Sequence, residues 1–230
     1  MLRTIAFLTF SLVLAVWGDA PQAFPAQPEA AGPSPRFDID VLVILSDAEA
    51  ANIDRSLRIN KLKLTGPRVT NAALAHLPEL AAINLLSIES TQITNAGLEL
   101  IQKANVRSLR LWQRSFDDAA LRQLGKLAQL EFLDLEGTQA GGAELGQLKG
   151  LEKLQTLALG SSTQDAQLEV LTSLAALQEL DLRGCQTLSD EAVKPLQTLS
   201  NLQTLWLPRQ ITEQGQLRIQ QKLLKCRILR

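Results

Sequence analysis

One spacing governs this chain. Apolar residues stand at the first, fourth and sixth places of a short segment in seven copies: Ile59/Leu62/Leu64, Ile83/Leu86/Ile88, Val106/Leu109/Leu111, Leu130/Leu133/Leu135, Leu154/Leu157/Leu159, Leu177/Leu180/Leu182 and Leu202/Leu205/Leu207. Successive starts at 59, 83, 106, 130, 154, 177 and 202 differ by 24, 23, 24, 24, 23 and 25 residues. A period of that length marks a stack of small units, each of which buries its apolar face against its neighbours.

Within a copy, places four and six alternate with polar residues at three, five and seven. That is the period-2 pattern of a strand with one buried face. Parallel copies then lie side by side, about 4.8 Å apart. The second half of each copy returns the chain behind the strands. There a short polar residue recurs where a helix would start, at Thr70, Thr94, Asp117 and Ser189. Such side chains accept a hydrogen bond from the free N–H groups of a helix start. The stretches "VTNAALAHL", "STQITNAGLELI" and "LSDEAVKPL" are therefore versions of one phrase. The fourth and fifth copies, "EGTQAGGAELGQL" and "GSSTQDAQLEVL", carry weak helix starts, and looser structure is expected behind their strands.

The pattern resembles the leucine-rich repeat family, whose unit runs L-x-x-L-x-L-x-x-N/C-x-L. The resemblance covers Ile59 to the C-terminus, with bacterial-type copies of about 24 residues and one, "LRGCQTLSDEA", similar to the cysteine-containing subtype. It implies an α/β solenoid of about seven repeats plus caps, with a curved parallel sheet on the concave side and helices on the convex side. The family's Asn or Cys at place nine is replaced here by Thr91, Thr138, Ser162 and Cys185, with Pro67, Arg114 and Gln210 in the other copies. A Thr or Ser hydroxyl can still bond the loop backbone.

A stack needs covered ends. Residues 37–58 read as an N-terminal cap, in which Ser46 and Glu49 have capping-box spacing and "FDIDVLVIL" is a short strand or the start of the cap. Residues 59–230 form the repeat domain with a C-terminal helix over "EQGQLRIQQKLLK". A truncated last strand is expected to start at Cys226, with Leu229 at its fourth place. Ahead of the fold, residues 1–18 read as a signal peptide: a short basic start, then "TIAFLTFSLVLAVW", too short to span a bilayer comfortably. A retained anchor is the alternative. Residues 19–36 hold five prolines and no apolar period, a Pro-rich disordered linker. The chain is therefore expected to be exported, to the periplasm, cell surface or medium, with no membrane insertion beyond the signal segment.

Chemistry is sparse. The net charge of -1 gives no basic field for nucleic acid. The single histidine, His76, lies on the helical side of the first copy, and Cys185 and Cys226 have neither metal-ligand nor disulfide spacing, which makes them free buried thiols. No phosphate loop, nucleophile–base pair or zinc motif occurs. Asp134 and Glu136 face one way on one strand, near the separation of some glycosidase carboxylates, but solvated acids are far commoner. No enzyme activity and no cofactor are expected.

What remains is a surface. Outward places three, five and seven set Leu85, Arg110, Trp112, Phe132, Asp134 and Glu136 close together on the second to fourth strands. Exposed aromatics with Arg, flanked by acids, resemble protein-binding hot spots. Trp206 is set apart as a residue that packs on the C-terminal cap. The reading is a monomeric, non-catalytic protein-interaction module acting through its concave face. The alternatives are a glycan or cell-wall binding module, since Trp112 and Phe132 could stack on sugar rings, and a structural cell-surface spacer.

Overall fold

The structure, a computed structural model, describes residues 38–230. The expected signal segment (1–18) and Pro-rich linker (19–36) lie outside the described residues. Nine parallel strands form one sheet in sequence order. They are β1 (Ile39–Ser46), β2 (Arg58–Arg68), β3 (Ala82–Glu89), β4 (Val106–Trp112), β5 (Phe132–Asp134), β6 (Thr156–Ala158), β7 (Glu179–Asp181), β8 (Thr204–Trp206) and β9 (Arg227–Leu229).

The register follows the repeat. Leu62 pairs with Leu86, and in turn Leu109, Leu133, Leu157, Leu180 and Leu205 continue one column from β2 to β8. Every member is fully buried, as are the sixth-place residues Leu64, Ile88, Leu111, Leu135, Leu159 and Leu182. Behind the column, the returning chain contributes Leu74, Leu98, Leu121, Leu145, Leu168 and Leu196 to the same core. One aliphatic shape, repeated, fills the space between strands and returns.

The returns are short. They comprise α1 (Asp47–Ala51), α2 (Asn71–Leu74), α3 (Asp118–Leu124), α4 (Val193–Leu196) and α5 (Glu213–Lys222), with 3-10 turns at Asn95–Lys103, Ala143–Gly150 and Asp165–Ser173. Thr70, Asp117 and Ser189 cap as expected, accepting from the N–H of Ala72 (3.2 Å), Ala119 (2.9 Å) and Glu191 (3.2 Å). Thr94 does not. Its hydroxyl instead accepts from the Asn71 amide of the preceding copy at 3.1 Å.

That bond belongs to a ladder that the caps alone do not suggest. The residue after each cap reaches to the next copy's cap. Asp47 accepts from the Thr70 N–H (2.8 Å) and hydroxyl (2.6 Å), and Asn71 accepts from the Thr94 N–H (3.0 Å). Asn95 donates to Asp117 (2.7 Å), and Asp118 accepts from the N–H groups of Gly141 (3.0 Å) and Gly142 (2.8 Å). Asp165 holds Ser189 and Asp190 holds Thr212 in the same two-point manner. Gly97 is required by this ladder, because a Cβ there would collide with Asn71 Oδ1. Gly142 and Ala143 have no hydrogen-bonding side chain to carry the ladder from the fourth copy to the fifth. The returns of those two copies are 3-10 turns with no side-chain cap, in keeping with their weak start signals; the second copy's return is the same.

Two registers differ from expectation by one residue. In the fifth copy the buried turn residue is Thr163, whose hydroxyl donates to Gly160 O at 3.0 Å, while Ser162 is half-buried. An extra residue in "GSST" shifts the inward place. At the C-terminus Ile228 pairs with Leu205 and Leu229 with Trp206, so Ile228 holds the fourth place and Cys226 is the buried residue before the strand. "FDIDVLVIL" contains a true strand, β1, and Ser46 caps α1 by accepting from Glu49 N–H at 3.3 Å. No helix among the described residues is long and apolar enough to cross a membrane.

Candidate recognition face

The third, fifth and seventh places point to the sheet's open face, opposite the core. The face is tighter than the sequence suggests. Ser87, Ser108, Thr156 and Ala158 are buried there by their neighbours on adjoining strands. Leu85 and Phe132 are half-buried, and Leu85 pairs with Ser108, which pairs with Phe132.

Trp112 is the exposed aromatic at this centre, with 38% of its surface accessible. Its ring lies against Gly137: a Cβ on that glycine would approach Trp112 Cγ to 2.8 Å. Only a residue without a side chain fits this close to the root of the ring and the Trp112 backbone. Trp112 is also paired with Glu89 in the ladder between β3 and β4.

Asp134 departs from its expected place in a charged rim. It is only 1% exposed, because Arg110 covers it with an Nε–Oδ2 contact of 2.7 Å. Its other oxygen accepts from the N–H of Glu136 at 3.0 Å, the geometry of an Asx turn. Burial pushes its carboxyl above the ordinary range, against the lowering pull of Arg110. Asp181, also 1% exposed, repeats the device: it accepts from the N–H of Arg183 at 2.9 Å and holds that residue's guanidinium. The Arg183 guanidinium in turn lies 5.6 Å from the Trp206 ring centroid, a cation–π contact. Trp206 is 6% exposed and pairs with Leu229 of the last strand. With both aspartates engaged this way, Asp134 and Glu136 form no free acid–base pair.

Glu136 is different. It is half-buried, and burial together with Asp181 and Asp134 raises its carboxyl above the ordinary range. It forms no ion pair among the described residues. Glu179, raised by burial, has a long 3.4 Å bond from Thr156.

The face is thus electrically divided. On β2 to β4 it carries Lys61, Lys63 and Arg110 against Glu89, with Lys63 and Glu89 joined at 2.6 Å. Burial lowers Lys61 below the usual lysine range, with Arg110 adding to it. Around β5 to β7 it carries Asp134, Glu136, Glu179 and Asp181 against Arg183. Outward alternation puts Glu179, Asp181 and Arg183 on the same face as Trp112 and Phe132, although the sequence-based candidate set does not include them. Their signal was available: Asp181 stands at the same place of its copy as Asp134.

Both cysteines are free and buried. Burial raises Cys185 to about 12 and Cys226 to about 11, which leaves both as unreactive thiols at neutral pH. No group of three metal-ligating side chains occurs among the described residues.

No protein-family model matches the chain, and no curated protein does. Solved structures are similar to it. An internalin of Listeria monocytogenes superposes over 74% of this chain with a TM-score of 0.57 and 26% identity; this chain spans 47% of that one, about half its length. TLR13 in complex with ssRNA13 matches over 77% of this chain at 22% identity and TM-score 0.49, with 30% of that chain covered. A leucine-rich repeat protein of Leptospira interrogans matches over 74% at 18% identity and TM-score 0.39, with 54% of that chain covered.

Proposed function

Since the chain is a leucine-rich-repeat protein, we propose that it is an exported, non-catalytic module that binds another protein through the open face of β3 to β7. The observation that carries this reading is the Trp112 centre: a large, partly exposed ring whose root packs against Gly137, beside the Arg110–Asp134 pair. Rigid aromatic anchors of this kind lose little entropy on binding, which is why they dominate hot spots. The side chains around it are also locked by ion pairs, so the face is ordered before any partner arrives.

Charge narrows the partner. Glu136 and Glu179 are half-buried acids that form no ion pair with a lysine or arginine among the described residues. A partner that places a Lys or Arg against them recovers part of their burial cost. The partner is therefore a protein segment with a basic group over β5 to β7 and an apolar side chain over Trp112 and Phe132.

The test is a differential capture. Proteins retained by the wild type should be lost by Trp112→Ala and by Glu136→Lys, and kept by Lys149→Glu on the returning side of the fourth copy. If the same proteins are retained by all four, the open face is not the binding surface. Retention of oligosaccharides by the wild type, with no protein, would favour a glycan ligand instead.

A further inference from the structure

The two edges of the sheet are unlike each other. β9 offers three residues, beginning with Arg227 and followed by Arg230, whose guanidinium donates to Ile211 O at 2.7 Å. A short, charged edge resists pairing with another chain. β1 offers eight residues, IDVLVILS, and has no strand on its outer side in the nine-stranded sheet. Its outward side chains are apolar: Val41 is 47% and Leu45 46% exposed, with Val43 between them. Behind it, Leu42, Ile53 and Leu57 are only partly covered, so the first coil leaves the end of the core incompletely closed.

From these features we infer that β1 is a homodimer interface: two copies join β1 to β1 in antiparallel fashion, and two nine-stranded sheets become one continuous sheet. Self-complementarity selects a second copy as the occupant. A two-fold axis perpendicular to the sheet at Val43 sets Val41 opposite Leu45 of the second copy, Leu45 opposite its Val41, and Leu42 opposite its Ile44. Both most exposed apolar residues of the strand are covered by each other, on one face. Asp40 then faces a serine, Ser46, and no acid meets an acid. Asp40 is also held laterally, accepting from Asn60 Nδ2 at 2.7 Å within its own sheet. The interface is isologous, and the guarded β9 edge keeps it from growing into a filament. Such pairing leaves the Trp112 face open, so it does not depend on the proposed recognition of a partner protein.

The experiment is sedimentation velocity on the full-length protein at micromolar concentration and above. Wild type should sediment as a dimer. V41K/L45K places lysine against lysine at both symmetric contacts and should sediment as a monomer with an unchanged circular dichroism spectrum. V41K/L45E sets the introduced lysine of each copy against the introduced glutamate of the other and should restore the dimer. A monomeric wild type, a V41K/L45K dimer, or a V41K/L45E protein as monomeric as the lysine pair would each overturn the inference.

Discussion

Strands β1 to β4 run for 8, 11, 8 and 7 residues, whereas β5 to β9 run for three each. The apolar column is the same in both halves, so the core does not explain the difference. In β5 and β7 the fifth place of the copy contributes. It is Lys63, Ser87 and Arg110 in the long strands, and Asp134 and Asp181 in two of the short ones. A short carboxylate there takes the N–H two residues on and turns the chain out of the ladder. Lys63 and Arg110 have no acceptor for that bond, while β6 and β8, with Ala158 and Trp206 at the fifth place, are short without it. In β5 and β7 that place thus ends the strand and, because the turning residue is acidic, adds negative charge to the open face.

The sharpest way to break this comparison is through the core. Leu86→Ala in the long half and Leu180→Ala in the short half should each cost about 2–5 kcal/mol in urea unfolding, since both are fully buried. A much cheaper Leu180→Ala would mean that the short half is loosely packed. Arg110→Ala comes next. It strips the cover from a buried carboxylate and should cost about 2 kcal/mol, with most of that loss absent when Asp134 is already Asn. Asp134→Ala against Asp134→Asn isolates the turn. Asn can still make the Asx turn, so Ala should be less stable than Asn by about 1 kcal/mol, and amide exchange at Glu136 should quicken only in the Ala variant.

The two halves should also answer acid in opposite senses. Burial raises Glu89, but hydrogen bonds from Lys63 and Ser87, with the charges of Lys63 and Lys61, outweigh it and lower the group overall. Its stabilising effect is present above the ordinary glutamate range and is lost as pH falls through the depressed value. Glu136 is raised, so the native state holds its proton where the unfolded chain has already lost it, and stability falls as pH rises through that window. At neutral pH, Glu89→Gln should therefore be less stable than wild type and Glu136→Gln more stable, and both differences should shrink on acidification. Parallel pH profiles for the two variants would remove the electrical division of the face. The smallest effect belongs to Trp112→Ala. Its exposure places the loss of stability well under that of a core leucine, about 1 kcal/mol or less.

Much of this fold is legible in the letters because a one-dimensional repeat is itself the architecture. Leu62 to Leu205 share a column for the same reason that they share a spacing. Single-residue slips escaped, at Thr163 and Ile228, because a period of 23 to 25 residues tolerates an insertion in a turn without disturbing the next strand. The ladder of Asp47, Asn71, Asp118, Asp165 and Asp190 was open to reading, since an acid or amide follows the cap in most copies. A cap read within its own helix does not reveal the ladder, because its bond comes from the previous coil. The open face was legible in position but not in burial. Alternation says which way Asp134 points, and only packing says that Arg110 covers it.

The proposed function requires that the open face of β3 to β7, not the returning side, meets the partner. Amide hydrogen exchange on the protein with and without a captured partner tests it directly. Slowed exchange should concentrate at residues 85–89, 108–113, 132–137 and 179–184, leaving the returns at 95–103, 143–150 and 165–173 unchanged. Protection centred on those returns, with the strand residues unaffected, would contradict it.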